Sequence, residues 1–271
     1  MSESTPQSTP ESTSQSTPQS TPQSTPQIPT SLDLAIAQAR QAAQAAVEDG
    51  HQRLWVELAI PEIKVMPVAK GFIPAFESLG SNLRVFFPDA GAAALARYDW
   101  GEKPYAIRGI GELKAKIQPE ETLFIFVEPS SVEVKEVEAL CQEIGDRPII
   151  FLNPRLEDVA TIGIGYAGRQ LRERFINTFD SCYHVRPMEG AALFRCYPSP
   201  WQLWRETDDG YEWVCDFSAR PNSEQMEQAL WGEQKEDGEA NSETSSTSSQ
   251  AQAPRKGLLS GLQQFLKALS Q

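Results

Sequence analysis

The chain has 271 residues, 40% of them hydrophobic, and a formal net charge of -13 at pH 7. This length allows one sizeable core, and the acidic charge argues against a nucleic-acid-binding surface, because phosphate contacts need clustered Lys and Arg. The four cysteines show neither a CxxC pair nor zinc-ligand spacing, so with only two histidines we expect no metal site, no cofactor and a reduced compartment.

No stretch of the chain approaches the roughly 18 apolar residues that a membrane-spanning helix needs. The N-terminus carries neither the apolar core of a signal peptide nor the arginines of a transit peptide. We therefore expect a cytoplasmic protein that is soluble or lies on a membrane surface.

Composition divides the chain into four segments. Residues 1–29 repeat STPQ and its variants and are predicted to be a disordered tail. Residues 30–232 carry the periodic apolar patterns of a single α/β domain, and residues 233–254 form an acidic linker that is predicted to be disordered. The last segment, residues 255–271, is basic and amphipathic.

The folded segment begins with helices and strands in alternation. Ser31 is a suitable N-cap for an Ala- and Gln-rich helix that ends at Gly50. Further along, the patterns predict strands at 53–60, 82–87 and 105–110, a partly helical segment at 65–79 and a helix at 90–98.

Two apolar runs, Leu123–Val127 and Ile149–Leu152, give the clearest signal of fold class. About 20 residues with helical periodicity separate them, and each run ends in a polar residue followed by proline. This pattern predicts a right-handed βαβ unit whose strands are buried on both faces.

The remaining domain changes to an antiparallel pattern after a helix predicted over 169–179. Strands are predicted at 182–187, 191–197, 202–206 and 211–217, followed by a helix at 222–231. We therefore predict an α/β fold with a mostly parallel sheet, helices on both faces and a C-terminal antiparallel meander.

Aromatic residues are frequent in this meander. Alternating positions place four side chains of its last strand on one face, where core packing explains them: Tyr211, Trp213, Cys215 and Phe217. Trp201 and Trp204 either join the core or, if they project outward, anchor a partner.

Polar residues follow three of the predicted strands. Ligands of open parallel sheets bind outside the carboxyl ends of the strands, which makes Asp89, Glu128, Asn153 and Arg155 candidate ligand-binding residues. The acidic residues, with Asp158, would act as acid or base, and Arg155 would hold an anion. The alternative is a capping role, because Asp and Asn after a strand cap the next helix.

A glycine-rich string and three arginines lie between the two halves of the domain. Residues 163–168 match GxGxxG and precede a helix that carries Arg169, Arg172 and Arg174. The string is either a dinucleotide fingerprint or, as we favour, a loop at the sheet edge. The arginines either bind phosphate or carboxylate or form a solvated helix face.

Cys182 and His184 alternate in a predicted strand, which places them on one face. This pair suggests a thiol nucleophile, but no third, orienting group can be named. We favour a buried cysteine beside a structural histidine.

The C-terminal segment is predicted to be an amphipathic helix. Its apolar side chains repeat at helical spacing and form one stripe: Leu258, Leu259, Leu262, Phe265, Leu266 and Leu269. Arg255, Lys256 and Lys267 make the segment basic. Such a helix suits an anionic membrane surface or a groove on a partner, and the alternative is that it folds back on its own domain.

Several stretches of the domain, among them RPIIFLNPRLED, GYAGRQLRERFINTF and DGYEWVCDFSARP, resemble an uncharacterised α/β domain family of cyanobacteria and chloroplasts. That family includes the plant low photosystem II accumulation protein 3 and the C-terminal appendage of a chloroplast adenylate kinase. It has no established catalytic motif. Its matching positions are Asn153, Pro154, Arg155, Leu156, Arg172 and Arg174.

The resemblance implies a non-enzymatic auxiliary or assembly factor that acts at the thylakoid surface in photosystem II biogenesis. Its partners would be photosystem II assembly intermediates or other thylakoid proteins. The alternative is an enzyme or sensor that binds a nucleotide or phosphorylated metabolite at the strand ends.

Overall fold

The computed structural model describes residues 27–112, 116–156 and 166–232. Residues 1–26 of the predicted N-terminal tail, the acidic linker and the amphipathic segment 255–271 lie outside the described residues, as do Asp158 and residues 163–165 of the glycine-rich string. The end of the predicted tail is described, and its disorder prediction is wrong at Ile28, whose apolar side chain is buried in the core. Within the described residues, no helix is long and apolar enough to cross a membrane.

Helices and strands of the described residues follow the predicted order. The α-helices are α1 (Leu32–Glu48), α2 (Val65–Phe72), α3 (Ala90–Trp100), α4 (Val134–Ile144), α5 (Tyr166–Arg174) and α6 (Ser223–Trp231). The strands are β1 (Arg53–Leu58), β2 (Leu83–Phe87), β3 (Ala106–Gly109), β4 (Leu123–Val127), β5 (Ile149–Leu152), β6 (Asp180–Met188), β7 (Ala191–Cys196), β8 (Trp201–Thr207) and β9 (Gly210–Phe217). Short 3-10 segments cover Ile73–Asn82 and Ile176–Thr178.

These strands form one sheet in the order β3-β2-β4-β5-β1-β6-β7-β8-β9. Neighbouring strands are parallel from β3 to β6 and antiparallel from β6 to β9. Strand β4 pairs with β5, with Phe124 opposite Ile149, and every residue of both strands is buried. The structure thus confirms the mostly parallel sheet, its βαβ unit and the antiparallel meander.

Helices cover both faces of the sheet, as predicted. On the first face, α1, α2 and α3 bury small and apolar side chains against the strands. Ser31 is the N-cap of helix α1, and its Oγ accepts a hydrogen bond from the Leu34 N–H at 3.2 Å. The buried side of α1 is made largely of alanines that let the helix lie close to the sheet. On the second face, α4 and α5 cover β4 and β5, and α6 covers β7 and β8.

The helix predicted over 169–179 ends earlier, at Arg174. Phe175 leaves the helical conformation with φ at -129°, and Phe179 stacks on Phe151 of β5 with ring centroids 4.1 Å apart. Burial of these two rings against the sheet therefore competes with, and ends, the helix.

Two β-bulges place side chains of β6 and β9 on faces other than those predicted. The pairing of β6 with β1 skips Cys182, so Cys182 packs with Tyr183 on the first face while His184 lies on the second. The pairing of β9 with β8 skips Val214. Tyr211 consequently packs on the first face, Cys215 and Phe217 pack on the second, and the predicted single face is wrong.

Trp213 is also not a core residue, since it is 51% exposed and its indole N–H donates to Asp216 Oδ1 at 2.9 Å. Trp201 and Trp204 are buried, which confirms the core interpretation for these two side chains.

Candidate functional site

Asp89 has a structural role at the carboxyl end of β2. Its Oδ1 accepts a hydrogen bond from the Ala92 N–H at 2.9 Å, and its backbone is extended as an N-cap requires. The capping interpretation is therefore confirmed, and the contacts of Asp89 are made with α3.

Asn153 is buried at the end of β5 and joins it to the end of β1. Its Oδ1 accepts from the Leu58 N–H at 3.1 Å, and its amide donates to the Leu58 carbonyl at 3.0 Å. The residue has φ at 49°, a left-handed conformation that asparagine tolerates better than most residues. Both polar atoms of the side chain thus replace backbone pairing where β1 ends.

Glu128 and Arg155 meet at the ends of β4 and β5. The Arg155 Nη2 lies 2.6 Å from Glu128 Oε1, and the Arg155 N–H donates to the Pro129 carbonyl at 2.8 Å. Glu128 also has a positive φ, at 51°. The structure therefore brings together Glu128 and Arg155, while Asp89 and Asn153 are used within the fold.

The arginines of α5 lie on the helix that covers the second face of the sheet. Arg174 donates to both carboxylate oxygens of Glu138 on α4, each at 2.8 Å, which joins the two helices. This ion pair lowers the pKa of Glu138, the hydrogen bonds being the largest cause. Arg169 is exposed and Arg172 half-buried.

A cleft of about 1180 Å³ opens on the second face, between the part of the sheet covered by α5 and the part covered by α6. Strands β1 and β6 contribute its floor. The cleft is lined by Trp55, Glu57, Ser130, Ser131, Val132, Pro154, Arg155, Ile176, Asn177, Phe179, Asp180, Ser181, Trp201, Ala219 and Arg220. Of the predicted ligand-binding residues within the described part of the chain, Arg155 alone lines this cleft.

Glu57 is one of two carboxylates that line the cleft, and Asp180 is the other. His184 Nδ1 lies 2.9 Å from Glu57 Oε2, and Arg220 Nη1 lies 4.0 Å from the same oxygen. Burial opposes ionisation of Glu57, but the hydrogen bond from His184 and the charge of Arg220 hold the Glu57 pKa below its usual value. Burial lowers the pKa of His184 in spite of Glu57, so we assign a neutral imidazole that donates from Nδ1.

Trp201 lies beside this polar group and forms an aromatic wall. Its ring is 5.1 Å from the His184 ring, and the guanidinium of Arg220 lies 5.5 Å from its centroid. Arg220 is half exposed, so it presents N–H donors to the cleft while it stacks on the indole.

The buried cysteines do not form a nucleophilic site. Burial is the largest cause that raises the pKa of Cys141 and Cys182 to about 12 and of Cys196 to about 11. Cys182 also lies on the opposite face from His184. The structure therefore supports the structural interpretation of both residues.

Glu57, Ser181 and Arg220 are site residues that the sequence does not single out, because they lie on or after three strands that are far apart in the chain. One signal was present: Glu57 is two residues from Trp55 in an alternating strand, so a carboxylate had to share the half-buried face of that tryptophan. Within the described residues, no group of His, Cys, Asp and Glu is arranged to hold a metal ion.

The sequence profile of a protein family described as "Domain of unknown function (DUF1995)" matches residues 29–228. The match includes the whole sheet and every residue that lines the cleft. The chain belongs to this family.

Proposed function

We propose that the protein is a non-catalytic auxiliary factor that assists photosystem II biogenesis at the thylakoid surface. One observation supports a role in binding a partner. The polar residues at the strand ends make contacts within the fold, and the open surface beside them is a broad cleft lined by Trp and Arg. These residue types dominate the binding energy of protein interfaces.

The process and the location come from other observations. The resemblance to a family that includes a photosystem II accumulation protein supports the process. The basic, amphipathic segment 255–271 supplies a physical means of reaching an anionic membrane. In this proposal the cleft binds a polypeptide partner and the segment brings the protein to the membrane surface.

Liposome flotation tests the membrane part of this proposal. Full-length protein should float with vesicles of phosphatidylcholine and anionic phosphatidylglycerol, and a form without residues 255–271 should remain in the soluble fraction. Equal partition of both forms into the soluble fraction would contradict membrane attachment.

A pull-down from thylakoid extract tests the partner. Full-length protein should retain photosystem II assembly intermediates, and Arg220→Ala in the cleft should reduce their recovery. Arg186→Ala, at an exposed position of strand β6 that does not line the cleft, is the control. Equal recovery with both variants would remove the cleft from the proposal.

The second candidate is a sensor of a nucleotide or phosphorylated metabolite. The observation that favours it is Arg155, whose side chain is 65% exposed at the edge of the cleft, close to Ser130. A ligand present at a hundred times its dissociation constant stabilises a protein by about 2.7 kcal/mol, which a thermal-shift panel detects. Stabilisation that Arg155→Ala abolishes would favour this candidate over the first.

A further inference from the structure

The volume of the cleft suits a polypeptide segment. At about 1180 Å³ it exceeds the range of about 300 to 1,000 Å³ that is typical of small-molecule pockets. Three turns of a helix that is about 10 Å wide occupy about 1,300 Å³. The cleft therefore has room for two to three turns of helix.

The lining of the cleft is apolar enough to receive the stripe of an amphipathic helix. Trp201 forms one wall, and Ile176 and Pro154 line the side towards α5. Val132 is 74% exposed, although it lines the same cleft. An apolar segment seated there would remove this side chain from water.

The charges around the cleft favour a basic segment. Both arginines already face carboxylates, since Arg155 contacts Glu128 and Arg220 lies 4.0 Å from Glu57. Asp180 is 75% exposed, and its nearest basic group is His51 at 3.6 Å. The surrounding residues 32–232 carry 30 Asp and Glu against 20 Lys and Arg, whereas residues 255–271 carry three Lys and Arg and no acidic residue.

The chain is long enough to bring that segment to the cleft. Arg220 lines the cleft just before α6, and the described residues end at Gly232, just after α6. Helix α6 has nine residues and a length of about 14 Å. A flexible chain of 22 residues, the length of segment 233–254, has a root-mean-square span of about 26 Å.

We propose that the apolar stripe of residues 255–271 docks in the cleft of its own chain and leaves it when the segment binds a membrane. The inference rests on the proposed function, because the same apolar stripe would bind either the cleft or the membrane. A short tether gives an effective concentration of about 1 mM, so an intrinsic dissociation constant of about 0.1 mM keeps about ten chains docked for each one free. Docking then weakens the apparent membrane affinity about tenfold.

Photo-crosslinking of the full-length chain tests the docked state. Phe265→benzoylphenylalanine places a crosslinker within the stripe, and irradiation of a dilute solution should join it to cleft residues such as Val132, Ile176 or Ala219 of the same chain. Crosslinks to another part of the domain, crosslinks between two chains, or no crosslinks at all would each overturn the proposal.

Two matched substitutions separate the cleft from the rest of the surface. Val132→Asp changes an exposed side chain of the cleft, and Leu95→Asp changes a side chain of α3 that is 51% exposed and does not line it. We expect Val132→Asp to reduce the crosslink at least fivefold and to strengthen vesicle binding about tenfold, whereas Leu95→Asp should change neither. Equal behaviour of the two variants would overturn docking.

The two proposals fail in different ways. Cleft crosslinks without flotation would contradict membrane attachment and leave intramolecular docking standing. Flotation that depends on residues 255–271, without cleft crosslinks, would contradict docking and leave membrane attachment standing.

Discussion

The parallel and antiparallel halves of the sheet differ in how completely they are covered. In β2, β4 and β5 every residue is buried, whereas β9 at the opposite edge has no fully buried residue. The parallel strands lie between two layers of helices, whereas in the described residues α1 covers the meander only at β6 and β7 on the first face, and α6 covers β7 and β8 on the second. The halves meet at β1 and β6, where the uncovered second face becomes the cleft.

The parallel half therefore contains the most completely buried part of the core, whereas polar side chains are accessible at its border with the meander. The central rings show this most directly, since Phe151 contacts Phe126, Phe175, Phe179 and Trp55 within one cluster. The following substitutions test whether stability is divided between the two halves in this way.

Phe151→Ala should have the largest effect. Removal of a fully buried ring from the middle of the sheet costs about 3 to 5 kcal/mol of unfolding free energy through lost contacts and the cavity that remains. The matched change in the meander, Trp213→Ala, should cost less than about 1 kcal/mol because that indole is half exposed. Urea denaturation of both variants measures the difference, and similar losses would contradict the comparison.

Asn153→Asp should come next, because it disrupts the side-chain contacts between β5 and β1. The carboxylate keeps the hydrogen bond from the Leu58 N–H, but its second oxygen faces the Leu58 carbonyl, which accepts a hydrogen bond from the native amide. An unpaired buried acceptor costs about 1 to 3 kcal/mol, and more when it is charged. Asn153→Gly is the control, because it removes both bonds but tolerates the positive φ. A smaller loss of unfolding free energy for Asn153→Asp than for Asn153→Gly would contradict the proposed unpaired acceptor beside the Leu58 carbonyl.

The border between the halves should be sensitive to pH through His184. Burial holds its pKa below the ordinary value, so below about pH 6.5 the unfolded chain takes up a proton that the folded chain resists. Stability should therefore fall from pH 7 to pH 5, with a slope that approaches about 1.4 kcal/mol per pH unit. The lowered pKa of Glu57 adds its own loss only at more acidic pH.

Urea denaturation at pH 7, 6 and 5 measures this slope, and His184→Gln should flatten it. An equally steep slope in His184→Gln would show that another group binds the proton.

Substitution of the helix caps should have the smallest effects on stability, and these effects should be equal in the two halves. Asp89 caps α3 in the parallel half, and Asn222 caps α6 in the meander through a capping box with Gln225. Replacement of either cap by alanine should cost about 1 kcal/mol, because each loses one exposed hydrogen bond to a helix N-terminus. Thermal unfolding compares the two, and a clear excess for either would show that its helix has a larger share in the stability of its half.

The parallel half could be predicted from sequence because burial on both faces produces continuous apolar runs, as in Leu123–Val127. The pattern predicts the strands of the meander, but the shared faces predicted for Cys182 with His184 and for Tyr211 with Cys215 are wrong, since one extra residue in a strand reverses every later side chain. The alternation of apolar and polar residues does not indicate where such a residue is inserted.

The candidate site was predictable only in part. Arg155 and Glu128 are predicted as site residues from their positions at the ends of strands, and the structure pairs them. Glu57, His184 and Arg220 come from three distant segments, and their meeting depends on β6 lying beside β1 rather than beside β5. That strand order follows from the packing of the whole sheet and has no local signature.

The exposed edge of β9 has a consequence for how the molecule behaves at high concentration. A free strand edge invites another chain to extend the sheet, and this one carries Glu212 and Asp216 beside the bulge at Val214. The bulge takes the amide and carbonyl groups of β9 out of the regular spacing that an incoming strand needs, and the acidic side chains repel a second copy. Growth of the sheet from molecule to molecule is thereby discouraged, although no strand of the described residues pairs with this edge.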